Sequence, residues 1–135
     1  MRLFVLLVPF LVMAAQIDWQ KNFASALQKA QKERKVLMVF YESHGCSWCE
    51  KMLATTLRDA NVVKRLRNVV AVRVYKEDGD FPKSIASAYT PTTFFLTPKL
   101  HNIIRPVLGY QNVEYFLSYL DDVERRKERF LKEKD

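Results

Sequence analysis

The chain has 135 residues, 49% hydrophobic and 13% aromatic, which suits one domain with an ordinary core. With three glycines and five prolines it holds no Gly- or Pro-rich linker, internal repeat or low-complexity tract, so repeat and fibrous architectures are excluded. The formal net charge is +7, yet Lys29, Lys32, Arg34, Lys35 and the tail ERRKERFLKEKD spread their charge over helix faces or interleave it with acids; this is a solvated surface, not a nucleic-acid footprint with stacking aromatics.

The first stretch, MRLFVLLVPFLVMAAQ, has one basic residue, Arg2, an apolar run from Leu3 to Met13, and small residues at Ala14 and Ala15. It reads as a signal peptide over residues 1–15, too short for the roughly 20 apolar residues of a spanning helix. A single domain is expected over residues 16–135, exported to the periplasm and without stable membrane insertion after cleavage. Asp18 is placed to cap a helix from Trp19 to about Lys32, with Trp19, Phe23, Ala26, Leu27 and Ala30 at helical spacing. KVLMVFYES then reads as a buried central strand, being continuously apolar and rich in β-branched and aromatic residues.

From Cys46 onward, CSWCEKMLATTL lacks Pro and Gly, and Cys49, Met52, Leu53 and Leu57 form a helical stripe. Asp59 can cap a short further helix, ANVVKRLRN, before the strand VVAVRVY. Asp78, Gly79 and Asp80 supply a turn, and FPKSIASAY is predicted as a short helix with Pro82 in its first turn. TPTTFFLT and IIRPVLGY, joined by a turn at PKLHN, predict an antiparallel strand pair. A last helix starts at Val113 with Asn112 as its cap, and Val113, Phe116, Leu117, Leu120 and Val123 share one face; beyond Arg125 the stripe thins to Phe130 and Leu131, and the last turns are expected to project or fray. This alternation is that of an α/β sheet with helices on its faces.

Both cysteines of the chain, Cys46 and Cys49, lie in SHGCSWCEKM. Such a pair can be a redox dithiol, a metal clip or a structural staple. The staple is the weakest reading, since a bridge across so short a loop constrains the unfolded chain little. A cysteine between the end of a buried strand and the start of a helix points its sulfur at unpaired backbone N–H groups and the positive end of the helix dipole, which favours the thiolate, the attacking species in disulfide exchange. Cys46 then reads as the nucleophile, and Cys49, one turn inside the helix, as the shielded thiol that resolves the mixed disulfide. His44 is a candidate for tuning the Cys46 pKa by charge or hydrogen bond. Trp48, between the cysteines, is a candidate apolar contact for a substrate chain, and Met52 at helical spacing from Cys49 reads as core.

The strand–CxxC–helix unit, with YTPTTFFLT about 40 residues later and LGY before a terminal helix, resembles the thioredoxin superfamily, specifically its exported bacterial thioredoxin-like thiol:disulfide oxidoreductases. The resemblance covers nearly all of the expected domain. It implies a thioredoxin-like α/β fold with a central mixed sheet of about four strands and helices on both faces. It also implies that Pro91 is a cis-proline facing the dithiol, and that the Thr90 backbone pairs with a bound substrate strand. The intervening pair Ser47-Trp48 and the flank His44-Gly45 differ from the Trp-Cys-Gly-Pro-Cys of thioredoxin. The strand before the motif offers only Val39 or Phe40 at the candidate positions for the buried Asp of thioredoxin, leaving Glu42 or water for that role.

The function this implies is thiol–disulfide exchange on exported proteins, catalysed by Cys46 and Cys49 with Thr90, Pro91 and Trp48 as the substrate-binding residues. The direction stays open, with reduction favoured. No bound cofactor and no metal is required; the expected partners are protein dithiols or disulfides and a membrane or periplasmic redox partner, with no nucleic acid. The rival readings are a Cu(I) carrier, which would use the two thiolates with His44 and Met52 as soft ligands, and a non-catalytic interaction domain of the same fold.

Overall fold

The run Val36–Glu42 is buried at every position and forms the central strand, β2. Its residues alternate between two cores: Val36, Met38 and Phe40 enter one, Leu37, Val39 and Tyr41 the other. A strand buried on both sides needs a neighbour on each edge. Val69–Tyr75 (β3) pairs with it in parallel, from Val36 opposite Val69 to Glu42 opposite Tyr75. Thr92–Leu96 (β4) pairs with it antiparallel, from Leu37 opposite Leu96 to Tyr41 opposite Thr92. These features come from a computed structural model that describes Pro9 and residues 15–132; the expected signal peptide, apart from Pro9 and Ala15, lies outside the described residues, as do residues 133–135.

Two short edge strands complete a mixed five-stranded sheet in the order β1-β3-β2-β4-β5: Trp19–Gln20 (β1), parallel to β3, and Val107–Leu108 (β5), antiparallel to β4. The five strands, two of them only two residues long, accord with the mixed sheet of about four that was expected. Phe23–Glu33 (α1) covers one face through Phe23, Ala26 and Ala30. Ser47–Ala54 (α2), Ala60–Arg65 (α3) and Val113–Leu131 (α4) cover the other, through Cys49 and Met52, Val62, and Phe116, Leu120 and Val123. No helix among the described residues is long and apolar enough to cross a membrane.

Three segments depart from the periodicity. The first helix begins at Phe23, not Trp19, because Asn22 rather than Asp18 caps it: Asn22 Oδ1 accepts the Ser25 N–H at 2.9 Å, while Ser25 Oγ accepts the Asn22 N–H at 3.3 Å. Trp19 and Gln20 are drawn into the sheet opposite Ala71 and Val72. FPKSIASAY forms turns and bends instead of a helix. Its one buried anchor is Ile85, whose N–H bonds back to Pro82 O at 2.9 Å, and Ser87 Oγ accepts the Tyr89 N–H at 3.1 Å, a local bond that competes with helix formation. Within IIRPVLGY only Val107 and Leu108 are strand, since Pro106 has no N–H for a ladder and Ile103 and Ile104 turn into the core. The last helix runs on to Leu131, where Phe130 still packs against the core.

At the end of β2, Glu42 is only 3% exposed. Arg73 answers it bidentately, Nε to Oε2 at 2.7 Å and Nη2 to Oε1 at 3.0 Å, and Nη2 also donates to the Tyr75 hydroxyl at 3.0 Å. The hydrogen bonds to Glu42 hold the guanidinium above its ordinary pKa although partial burial opposes this. Arg73→Met strands the buried carboxylate and is expected to cost about 3 kcal/mol, whereas Glu42→Leu combined with Arg73→Met should recover most of that loss; urea unfolding midpoints of the three proteins provide the measurement.

Candidate functional site

The topology gathers four chain ends at one end of the sheet. The C-terminal ends of β2 and β3 lie side by side, with Glu42 opposite Tyr75, and the start of β4 meets the end of β5, with Thr92 opposite Leu108. From β2 the chain passes through Ser43, His44 and Gly45, which takes a left-handed φ of 69° that a side chain would resist, and enters α2 at Cys46. Cys46 is the helix cap: its backbone is extended and its Sγ accepts the Cys49 N–H at 3.1 Å. Cys46 and Cys49 are joined by a disulfide, with their Cα atoms 5.3 Å apart. Cys46 is half-buried and Cys49 is 1% exposed, packed in the core beside Met52. A thiolate at Cys46 would therefore meet a backbone donor and the positive helix end, while a thiol at Cys49 would be screened from bulk reagents.

The residues singled out in the sequence divide between two sides of this pair. On the β3 side, His44 lies face to face on Tyr75, ring centroids 4.2 Å apart and planes 7° from parallel. Its Nε2 stands 3.6 Å from Asp78 Oδ1, an ion pair when the imidazole is protonated, and its backbone N–H donates to Glu77 Oε2 at 3.3 Å. The ring is thus directed to Tyr75 and Asp78. Glu42, left by the sequence as a possible proton acceptor for the dithiol, has both oxygens engaged by Arg73.

On the β4–β5 side, Thr90 precedes a cis peptide bond to Pro91, and its Oγ1 lies 3.0 Å from Ser43 Oγ, which ties it to the loop that carries the dithiol. Pro91 is buried and its carbonyl accepts the Gly109 N–H at 2.7 Å. Trp48 is 55% exposed and tilts over Tyr110 with centroids 5.4 Å apart. The Lys51 ammonium lies 5.0 Å from the centre of each ring.

Sequence reasoning missed Ser43, Lys51 and Tyr110 as parts of this surface. For Lys51 a signal existed, since it stands three residues after Trp48 on the same helix face; for Ser43 and Tyr110 none did, because their partners lie far off in the chain. The ligands expected of a copper carrier are Cys46, Cys49, His44 and Met52. Met52 is 0% exposed beneath the site and the His44 ring is stacked on Tyr75; among the described residues no group of three or more His, Cys, Asp or Glu side chains is placed to hold a metal ion.

Residues 18–98 match a family model described as thioredoxin-like. No curated protein matches the chain in sequence. Among solved structures, a thioredoxin from Thermus thermophilus superposes with a TM-score of 0.67 at 26% identity, covering 82% of this chain and 88% of its own. A DsbH oxidoreductase gives 0.61 at 16% identity over 90% of this chain and 94% of its own. The C-terminal domain of Neisseria meningitidis DsbD in its oxidised form gives 0.58 at 17% identity over 73% and 89%. The last two, at such low identity, speak for the fold alone.

The cap geometry has a direct consequence in the reduced protein. Iodoacetamide should modify Cys46 well before Cys49, and its rate should reach half-maximum at a pH of about 3.5–7.5 instead of near 8.5. Mass spectrometry of quenched samples across a pH series measures both; equal modification of the two thiols with a midpoint near 8.5 would contradict the assignment.

Proposed function

Because this chain belongs to the thioredoxin-like family, we propose that it is a thiol–disulfide oxidoreductase acting on exported proteins, with Cys46 as nucleophile and Cys49 as resolving thiol. The observation that carries this reading is the unequal setting of one bonded pair: Cys46 half-buried at the cap of α2 and Cys49 sealed one turn inside it. A metal clip or a staple has no use for that asymmetry. Exchange divided between an attacking and a resolving thiol makes use of it.

In the reducing direction, the Cys46 thiolate attacks one sulfur of a substrate disulfide, and the other substrate sulfur leaves as a thiolate that takes a proton from water. Cys49 then loses its proton and attacks Cys46 Sγ, the mixed disulfide breaks, and the second substrate sulfur departs. Two electrons pass from the dithiol to the substrate, leaving the Cys46–Cys49 disulfide; oxidation of a substrate dithiol is the same sequence reversed. Substrate would lie across Thr90, Pro91 and the Trp48–Tyr110 surface. Thr90 stands against the dithiol loop through Ser43, and Trp48 presents an exposed apolar face next to Cys46. Reduction is the direction we favour; in a periplasm kept oxidising it calls for a membrane partner that restores the dithiol. The leader over residues 1–15 supports export.

The proposal predicts that Cys46→Ser reduces exchange with a disulfide-bonded protein to the uncatalysed rate, while Cys49→Ser accumulates a covalent substrate adduct on Cys46, visible on a non-reducing gel and released by dithiothreitol. An unchanged rate in Cys46→Ser would refute the enzyme reading. Trp48→Ala should raise KM about fivefold with kcat little altered, the loss of about 1 kcal/mol of contact with substrate, measured in steady-state reduction of that same protein.

A further inference from the structure

Among the described residues, one buried side-chain polar atom lacks a hydrogen-bond partner: Thr93 Oγ1, on a residue that is 0% exposed. The other buried threonines are paired. Thr92 Oγ1 donates to Tyr89 O at 2.7 Å, Thr56 Oγ1 donates to Gln111 O at 2.6 Å, and Thr97 Oγ1 accepts the His101 N–H at 3.1 Å. An unpaired buried hydroxyl destabilises the state that holds it, so a fold that satisfies three such groups and leaves the fourth calls for a reason.

Register locates the orphan. Thr93 lies opposite Phe40 on β2 and Val107 on β5, and directly opposed residues share a face. Phe40, Val107 and Phe95, two positions further along β4, belong to the core that contains Cys49 and Met52, whereas Tyr41 and Phe94 belong to the opposite core under α1. The Thr93 side chain therefore sits on the face covered by α2, α3 and α4, at the end of the sheet from which the dithiol springs. This face supplies no carboxylate to Cys49: β2 carries Phe40 there, and Glu42, next on the same face, is bonded by both oxygens to Arg73. Thr93 is the polar group that remains.

We infer that Thr93 is a positioning residue for the resolving cysteine, its hydroxyl donating a hydrogen bond to Cys49 Sγ when that thiol ionises in the reduced protein, a bond that the disulfide form lacks. The contrast follows from the acceptors. A disulfide sulfur accepts weakly, while a thiolate accepts strongly from an O–H donor. In the resolving step Cys49 releases its proton to water and its thiolate attacks Cys46 Sγ; the Cys46–substrate bond breaks, and the substrate sulfur leaves with the electron pair. The Thr93 proton stays on oxygen throughout, so the residue stabilises the attacking thiolate without serving as acid or base. This inference rests on the redox reading above.

The test compares the unsubstituted protein with Thr93→Val, which keeps the shape and removes the hydroxyl, and Thr93→Ser, which keeps the hydroxyl. Each is equilibrated with reduced and oxidised glutathione over a pH series from about 7 to about 10, and each is unfolded in urea in both redox states over the same series. Where Cys49 is ionised, the Thr93→Val equilibrium should shift about tenfold toward the disulfide, a potential lower by about 30 mV. At that pH the orphan is relieved in the oxidised form and the donor is lost in the reduced one, so the variant should gain stability when oxidised and not when reduced. Thr93→Ser should stay near the unsubstituted equilibrium. An unchanged equilibrium with equal gains in both redox states, or a shift toward the dithiol, would overturn the inference while leaving the redox reading in place. Failure of the unsubstituted protein to equilibrate with glutathione would overturn both.

Discussion

The cap of α2 is the contact on which the rest of the site depends. A helix begins with unpaired N–H groups, and here the Cys46 sulfur takes the one from Cys49, so the same bond starts the helix and holds the reacting atom. It forms only because β2 ends where it does. Seven consecutive buried residues fix that strand between two cores, and Ser43, His44 and Gly45 then turn the chain from sheet to helix. A slip of one residue in β2 would exchange its two faces and carry Cys46 out of the cap.

The surroundings of this turn divide by chemistry. Toward β3 they are polar and cross-linked: Glu42 holds Arg73, Arg73 holds the Tyr75 hydroxyl, and Tyr75 carries the His44 ring. Toward β5 they are aromatic, with Trp48 and Tyr110 sharing the Lys51 ammonium. The polar side anchors the loop to the sheet. The aromatic side leaves Trp48 exposed, and with it the large apolar surface that a substrate chain would seek. The division follows from strand order, since β3 and β4 flank β2 on opposite edges.

Local order was legible where one short-range rule decided it. The β2 run, the Asp59 and Asn112 caps, and the apolar stripes of α2 and α4 each follow from residues within a few positions of one another. The pair Cys46 and Cys49 was legible for the same reason. What escaped was decided across the chain: β1 exists because Trp19 and Gln20 find Ala71 and Val72, and the His44 ring is placed by Tyr75 from another strand. FPKSIASAY misled because its helical composition has one apolar anchor, Ile85, and serines that satisfy backbone groups locally. Thr93 could not be singled out in the sequence, where TPTTFFLT offers four threonines and only register tells which face Thr93 takes.

That placement bears on how the two sulfurs divide their work. Burial in apolar surroundings disfavours a thiolate, and a helix start favours one; Cys49 lies under the first influence and Cys46 under the second. The first attack is thereby assigned to Cys46, and the difficulty of the cycle moves to the second step, where a shielded thiol must ionise. A carboxylate beneath Cys49 could accept that proton and would be neutral once it had done so. A hydroxyl carries no charge in either redox state and can offer only its dipole. A site built on Phe40 and Thr93 thus gives up a proton acceptor, and its second step is governed by solvation of the Cys49 sulfur.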